Sequence, residues 1–171
     1  MMASITVGIG DAHVSNDPND VLVTHALGSC IAVAIYDPDA HVGGLLHFVL
    51  PDSKSSPHKA HTHPCFFADT GIPSLFLAAY ALGAHKSRLT VRVVGGAQIN
   101  DVGGVFNVGK QNYLACRKVL WSAGVLIGAQ EVGGMMSRTV RMDVDTGRVE
   151  WSSGSGPRHE LVVRPRGKGE R

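Results

Sequence analysis

Residues 21–50 read VLVTHALGSCIAVAIYDPDAHVGGLLHFVL and are the most informative stretch for the architecture. They contain two apolar runs, 30–36 and 42–50, that are rich in residues favoured in β-strands. The turn signal Asp37-Pro38-Asp39 separates the two runs. The pattern predicts a β-hairpin whose strands lie side by side in a sheet.

The length of the hairpin loop decides which residues face each other. A four-residue loop, 38–41, places His47 opposite Ala32, and Cys30 then lies on the same face within diagonal reach of His47. A two-residue loop would place His47 opposite Cys30 itself, but Pro38 cannot supply the positive φ of the usual tight turn. A three-residue loop would put the pair on opposite faces. We therefore expect the four-residue loop.

The two faces of the hairpin differ in side-chain size. One face is large and apolar, as expected of a core, and carries Ile31, Val33, Ile35, Leu46, Phe48 and Leu50. The other face is small and sparse, and carries Cys30, Ala32, Ala34, Gly43 and His47. A histidine on such a face favours a cleft, and an imidazole beside a thiol raises the thiolate fraction. A small buried cysteine near a hydrogen-bonded histidine is the structural alternative, and the pattern leaves both open.

The turn before Cys30 adds a second feature of catalytic sites. Gly28 lets the backbone turn sharply, and the Gly28-Ser29 turn is expected to leave N–H groups free for an oxyanion. The hairpin therefore predicts a nucleophile at Cys30, an acid–base group at His47 and oxyanion donors in this turn.

Outside the hairpin the pattern predicts about seven strands and two helices in all. Thr70 is expected to cap the first helix, with Pro73 in its first turn and its end near Leu82. The second helix ends at Gly124. The composition of residues 51–64, rich in Ser, Pro, Lys and His, predicts a long mobile loop. Because several strands are joined by short turns, we expect an α/β fold of mixed, largely antiparallel sheets with helices packed in layers.

The composition is that of a globular protein. The 171 residues with 44% hydrophobic content suffice for one domain, which we expect over 1–152, followed by a flexible basic tail over 153–171. The last 14 residues carry a net charge of +3 and the other residues −1, which argues against a nucleic-acid-binding domain. No apolar run approaches a membrane span of roughly 18 residues. We therefore expect a cytoplasmic protein without membrane insertion.

A series of short motifs runs along the chain in a fixed order. The motifs are Leu27-Gly28-Ser29-Cys30, Asp37-Pro38, Gly43-Gly44-Leu45-Leu46-His47-Phe48-Val49-Leu50-Pro51, Ala68-Asp69-Thr70-Gly71-Ile72-Pro73, Val94-Gly95-Gly96-Ala97, Val132-Gly133-Gly134, Arg138-Thr139-Val140 and Asp145-Thr146-Gly147. In this order, over residues 5–150, they resemble the CheD family of chemoreceptor glutamine deamidases. An ordered series is more specific than any one motif.

The resemblance implies a cysteine-dependent hydrolase without a cofactor. It implies conversion of selected glutamines of methyl-accepting chemotaxis receptors to glutamate, with receptor methylesterase activity in some members. The family's catalytic cysteine, histidine and threonine fall on Cys30, His47 and Thr24. The implied fold is a layered α/β sandwich similar to the deamidase domain of cytotoxic necrotizing factor toxins. In some bacteria CheC phosphatase is the implied partner, and where it is present the resemblance implies that it binds in the cleft as a decoy helix and inhibits. The alternative is that the enzyme works alone.

One motif departs from the family pattern and resembles a different site. The family has an arginine where Gly109-Lys110-Gln111-Asn112 has Gln111, so we expect altered partner contacts near this helix start. Residues 104–111 nearly match a phosphate-binding loop, but Gln111 stands where a Ser or Thr hydroxyl must hold Mg²⁺. An N-cap at Asn107 explains the segment without a nucleotide.

A group of zinc-capable side chains lies in the 51–64 region and just after it. The group consists of His58, His61, His63 and Cys65. A native metal site normally draws its ligands from a rigid scaffold with supporting hydrogen bonds. We therefore expect no metal here.

The alternative function belongs to a different class. A non-enzymatic chemotaxis adaptor would bind the receptor or CheC through the same cleft. A catalytically inactive member would be expected to lack Cys30 or His47. The presence of both favours the enzyme.

Overall fold

Two five-stranded β-sheets form the framework of the computed structural model, which describes residues 2–99 and 106–164. The first sheet contains, in spatial order, β1 (Ala3–Thr6), β3 (Asp20–Leu27), β8 (Arg138–Asp143), β9 (Val149–Ser152) and β10 (His159–Glu160). The second sheet contains β2 (Asp11–Ser15), β5 (Val42–Phe48), β4 (Ile31–Asp37), β6 (Thr90–Gly95) and β7 (Ala129–Val132). The α-helices of the described residues are α1 (Pro57–Thr62), α2 (Ala68–Ala81) and α3 (Val108–Ser122).

Most strand pairs run antiparallel. The parallel exceptions among the described strands are β1 with β3 and β6 with β7. Since helices also pack on the second sheet, the predicted α/β fold of mixed, largely antiparallel sheets is confirmed. No helix within the two described ranges has both the length and the apolar character needed to cross a bilayer.

The β4–β5 hairpin has the register of a four-residue loop. Asp37 pairs with Val42, and His47 lies opposite Ala32. The side chain of Asp37 accepts the backbone N–H of Asp39 at 2.9 Å, which closes the loop as an Asx turn. The predicted register is therefore confirmed.

The Asp37 carboxylate is buried and also holds the hairpin to the rest of the chain. Nη2 of Arg88 lies 2.9 Å from its Oδ2, and the backbone N–H of His85 donates to the same oxygen at 2.8 Å. Burial alone would raise the pKa of Asp37, but these hydrogen bonds lower it to about 2. The loop is therefore anchored by a carboxylate that stays ionised at neutral pH.

The second sheet is covered on both faces. One face contributes Ile31, Val33 and Phe48 to a hydrophobic core that includes buried residues of α2 and α3. The other face, with Ala32 and Leu45, packs on the first sheet in a second core. The small face of the hairpin is therefore a sheet–sheet interface along most of its length, and the prediction of an open cleft there is wrong.

Close approach of the sheets explains the small side chains. Ala32 and Ala34 are only 1% and 2% exposed. A Cβ atom added at Gly43 would lie 3.1 Å from the terminal methyl group of Met142 on β8. Larger residues on this face would force the sheets apart.

The first predicted helix is present, but its start differs from the prediction. α2 begins at Ala68, and the hydroxyl of Thr70 donates to the carbonyl oxygen of Pro64 instead of capping the helix. Pro73 lies inside the helix, beyond the first turn. Gly83 follows the helix with a φ of 98°, as a C-terminal glycine should.

Residues 51–64 are more regular than the predicted loop. They contain a 3₁₀ turn over Ser53–Ser55 and the helix α1, and a second 3₁₀ turn begins at Pro64. The side chain of Asp52 accepts the N–H of Lys54 and caps the first turn. Local capping thus organises a stretch whose composition alone resembled an irregular loop.

The chain after residue 152 continues the first sheet. β10 pairs with β9 and sets His159 opposite Trp151, with the two rings stacked 4.6 Å apart. Nε of Arg92, on β6, donates to the carbonyl oxygen of Leu161 at 2.7 Å. The sheet therefore extends past the predicted boundary, and residues 165–171 lie outside the described part of the chain.

The turn between β8 and β9 requires glycine at position 147. Gly147 has a φ of 73°, and a Cβ atom there would overlap the ring of Tyr36. We expect Gly147→Ala to lower the free energy of unfolding by about 2–4 kcal/mol, because backbone strain and overlap add. Urea unfolding measures the loss.

Gly154→Ala is the matched control for this change. Gly154 also has a positive φ, 56°, but no heavy atom lies within 4 Å of the added Cβ. Gly154→Ala should therefore lower the free energy of unfolding by only about 1 kcal/mol. Equal losses in the two variants would contradict the role of the Tyr36 contact.

Candidate active site

A hydrogen bond between the two sheets joins His47 on β5 to Thr24 on β3. Nδ1 of His47 lies 2.8 Å from Oγ1 of Thr24, and both residues are fully buried. The same hydroxyl lies 2.7 Å from the carbonyl oxygen of Val7. Two of the three predicted site residues therefore meet at the sheet–sheet interface, and the contact uses the threonine hydroxyl.

The chemistry of these contacts fixes the tautomer of His47. The carbonyl of Val7 can only accept, so the Thr24 hydroxyl donates its one hydrogen to it. The oxygen of Thr24 must then accept the Nδ1–H of His47. Nε2 is left with its lone pair, which is the form that accepts a proton.

Burial keeps the His47 ring neutral. Desolvation lowers the pKa of His47 to about 4, because burial disfavours the charged imidazolium. Nε2 is buried and has no hydrogen-bond partner among the residues of 2–99 and 106–164. Unpaired buried nitrogens are costly, and their retention is typical of functional sites.

Cys30 stands one residue before β4. It lies two residues from Ala32, which pairs with His47, so the register makes Cys30 and His47 diagonal neighbours on one face. Cys30 is a free cysteine of intermediate exposure. The face that is closed along most of the hairpin is thus partly accessible at this end.

Two glycines at the end of β6, Gly95 and Gly96, allow close backbone contact with Cys30. The N–H of Gly96 donates to the carbonyl oxygen of Cys30 at 2.8 Å. Gly95 has a φ of 119°, and a Cβ there would collide with the same oxygen. Only glycine at 95 lets the chain run this close to Cys30.

Burial sets the protonation of the Cys30 thiol. Desolvation raises its pKa, so Cys30 is protonated at neutral pH while His47 is neutral. The resting site therefore does not show the expected rise in thiolate fraction, because loss of hydration outweighs the lowering effect of the backbone hydrogen bond of Cys30 on its own pKa.

The turn before Cys30 offers two backbone donors that no other residue uses. The N–H of Gly28 donates to the carbonyl of Ala26 at 3.0 Å and is therefore occupied. The positive φ of this turn, 56°, lies at Ala26, whereas the sequence argument assigned the sharp bend to Gly28. Within the described chain the N–H groups of Ser29 and Cys30 donate to no other residue.

Sequence reasoning missed the role of Asn112 on α3. Asn112 is fully buried, and its Nδ2 donates to the carbonyls of Ser29 and Val49, both at 2.9 Å. A signal was available, since Asn112, Cys116 and Leu120 share one helix face at four-residue spacing. An amide in an otherwise apolar buried stripe indicates a specific hydrogen-bonding role.

The segment that nearly matches a phosphate-binding loop has a packing explanation. Asn107 occupies the N-cap position of α3 without a side-chain capping bond, and its side chain accepts from Gln98 instead. A Cβ at Gly109 would lie 2.5 Å from the carbonyl oxygen of Ala97. Gly109 thus lets α3 approach the chain after β6, and Gly104 lies outside the described residues.

The histidine-rich group does not gather into a metal site. No set of three or more His, Cys, Asp or Glu side chains in the described ranges is arranged to hold a metal ion. This includes the group formed by His58, His61, His63 and Cys65.

Known proteins share much of this sequence. A family model described as CheD chemotactic sensory transduction matches residues 49–153. The chain is 51% identical over 160 residues to the probable chemoreceptor glutamine deamidase CheD 1 of Syntrophus aciditrophicus, covering 94% of this chain and 100% of that protein. The chain belongs to the CheD family. This confirms the resemblance that the motifs indicated.

Other members of the CheD family are similar over comparable lengths. The probable chemoreceptor glutamine deamidase CheD of Solibacter usitatus is 48% identical over 161 residues, covering 94% of this chain and 95% of that protein. A solved structure, that of the Bacillus licheniformis hypothetical protein YfiH, is 15% identical with a TM-score of 0.45, covering 71% of this chain and 49% of that one. The likeness to the necrotizing factor deamidase domain stays a prediction.

The neutral His47 makes stability depend on pH. Its folded pKa of about 4 lies below the unfolded value of about 6.5, so the unfolded chain binds more protons between these values. The free energy of unfolding should therefore fall as the pH drops from about 6.5 to 4, by up to about 3 kcal/mol from this group. Urea unfolding at pH 7 and 4.5 measures the fall.

His47→Asn is the control for this pH dependence. The asparagine amide keeps an N–H donor for Thr24 but does not titrate. The variant should lose the part of the pH dependence that His47 contributes. An identical fall in wild type and variant would show that His47 is not the titrating group.

Proposed function

We propose that this chain is a protein-glutamine deamidase that converts selected glutamines of chemoreceptors to glutamate. Relatives that match nearly the whole chain carry the name chemoreceptor glutamine deamidase. The observation that carries the proposal is the Thr24–His47 hydrogen bond. It leaves Nε2 of His47 as a proton acceptor on the face that His47 shares with Cys30.

The first step forms a bond between sulfur and the substrate. Nε2 of His47 accepts the thiol proton while Sγ of Cys30 attacks the carboxamide carbon of the glutamine. The electron pair of the carbonyl double bond moves onto oxygen. The N–H groups of Ser29 and Cys30, which donate to no other residue of the described chain, donate to this oxyanion, and the bond from the N–H of Gly28 to Ala26 closes the turn before them.

The second step releases ammonia. The protonated Nε2 of His47 donates to the amide nitrogen, the C–N bond breaks and a thioester to Cys30 remains. Water then loses a proton to Nε2 and attacks the thioester, and the sulfur recovers its proton as glutamate leaves. Each cycle consumes one water and releases one ammonia.

The pKa values suit this order of events. A thiol with a raised pKa and an imidazole with a pKa of about 4 make a free ion pair unfavourable, so deprotonation of Cys30 must be coupled to attack. The imidazolium of His47 is in turn more acidic than an ordinary imidazolium, which suits it to protonate a leaving amine.

We extend the proposal to three expectations that come from the family resemblance. The same thioester chemistry would hydrolyse receptor glutamate methyl esters with methanol as the leaving group. A helix of CheC phosphatase would compete with the receptor helix for the site. The reaction would take place in the cytoplasm.

Removal of the thiol tests the nucleophile. Cys30→Ala should release no ammonia from a purified receptor cytoplasmic fragment, and His47→Asn should lower the rate by about 10²–10⁴-fold. Mass spectrometry of the fragment gives a second readout, since each conversion of glutamine to glutamate adds about one mass unit.

The outcomes separate the two function classes. Ammonia release by Cys30→Ala at the wild-type rate would exclude Cys30 as the nucleophile. Wild-type protein that binds the fragment but leaves every glutamine unmodified would favour the non-enzymatic adaptor.

The hydroxyl of Thr24 is expected to act by orienting His47. Thr24→Val keeps the shape but removes the acceptor for Nδ1–H, so kcat should fall about 10–100-fold with little change in KM. Thr24→Ser keeps the hydroxyl and should stay within about threefold of wild type. Steady-state deamidation rates of wild type, Thr24→Val and Thr24→Ser measure these effects. Equal kcat in all three proteins would remove Thr24 from the mechanism.

A further inference from the structure

Strands β4 and β5 separate where the chain reaches Cys30. Their last ladder pair joins Ile31 and Phe48. Beyond it, the N–H of Val49 donates to the carbonyl of Phe66 at 2.9 Å, and the carbonyl of Cys30 accepts from the segment after β6. No backbone hydrogen bond of the described chain joins Cys30 to Val49.

Asn112 bridges this opening from α3. Its Nδ2 donates one hydrogen to the carbonyl of Ser29 and the other to the carbonyl of Val49, both at 2.9 Å. Since both partners can only accept, the nitrogen of the amide must face them. A buried amide is costly without such bonds, and these two satisfy the nitrogen of Asn112, while its Oδ1 is buried with no partner in the described chain.

The bond to Ser29 acts on the peptide unit that precedes the sulfur. The carbonyl of Ser29 and the N–H of Cys30 belong to one trans peptide unit, so they point in opposite directions. By holding the carbonyl, Asn112 directs the N–H of Cys30 to the opposite side, where it donates to no other residue of the described chain and lies beside the sulfur of Cys30 itself. A hydrogen bond to the carbonyl also strengthens the N–H as a donor.

We propose that Asn112 is a positioning residue that aims the N–H of Cys30 at the reaction's oxyanion. The inference rests on the proposed deamidation, and Asn112 itself touches no substrate. Its second bond, to Val49, ties the same amide to the chain that leaves β5, the strand bearing His47. One side chain thus fixes the position of the N–H of Cys30 relative to His47.

The test compares two reactions of Cys30 in Asn112→Ala. Deamidation of the receptor fragment builds an oxyanion, so kcat should fall about 10²-fold with KM nearly unchanged. Alkylation of Cys30 by iodoacetamide occurs at a saturated carbon and builds no oxyanion. Its rate should stay within about twofold of wild type.

Leu120→Ala and Asn112→Asp are the controls. Leu120 is buried on the same helix, so Leu120→Ala reports the effect of destabilising α3 without removing the Asn112 bonds, and its kcat should stay near wild type. Asn112→Asp keeps the size of the side chain, and its carboxyl can donate a hydrogen only when protonated. Its kcat relative to wild type should therefore rise as the pH falls from 8 to 5.5.

Several results would overturn the proposal. The first is a wild-type kcat in Asn112→Ala, and the second is a loss of alkylation rate in Asn112→Ala as large as its loss of kcat. The third is a fall of kcat in Leu120→Ala as large as that in Asn112→Ala. If Asn112→Ala does not fold, the proposal is overturned when the kcat of Asn112→Asp relative to wild type does not change with pH. Wild-type protein that does not deamidate the fragment refutes the proposed function, and the role of Asn112 with it.

Discussion

The pairing of Asp37 with Val42 controls the geometry of the site. Side chains of a strand alternate between its two faces, so a slip of one residue would move His47 to the helix-covered face, away from Cys30. The buried Asp37 carboxylate closes the loop and binds Arg88. A charged residue at the far end of the hairpin thus determines which way the imidazole faces.

Local chemistry made this part of the fold predictable from the sequence. Pro38 excludes the tightest turn, and the alternation of large and small residues then leaves one register that puts Cys30 and His47 together. What covers the small face was not predictable in this way. Gly43 is small because Met142, about a hundred positions later, lies against it, and alternation within one hairpin says nothing about such a distant contact.

The candidate site was likewise predictable only in the features that residue type and strand register determine. Residue type and register placed Cys30 and His47 on one face as candidate site residues, whereas the protonation of both depends on how much water the finished fold excludes. The hydrogen bonds of Asn112 depend on where α3 crosses the end of the hairpin. The position of the sharp bend depends on the bulge in β3 between Thr24 and Leu27, which puts the positive φ at Ala26 and not at the glycine.

The raised pKa of Cys30 has a consequence for oxidation. Peroxides attack the thiolate, so a sulfur that stays protonated at neutral pH forms sulfenic acid slowly. A resting ion pair with His47 would expose a standing thiolate to every oxidant that reaches the site. In the mechanism proposed above Cys30 becomes nucleophilic only as it attacks a substrate, so the resting sulfur offers an oxidant little thiolate.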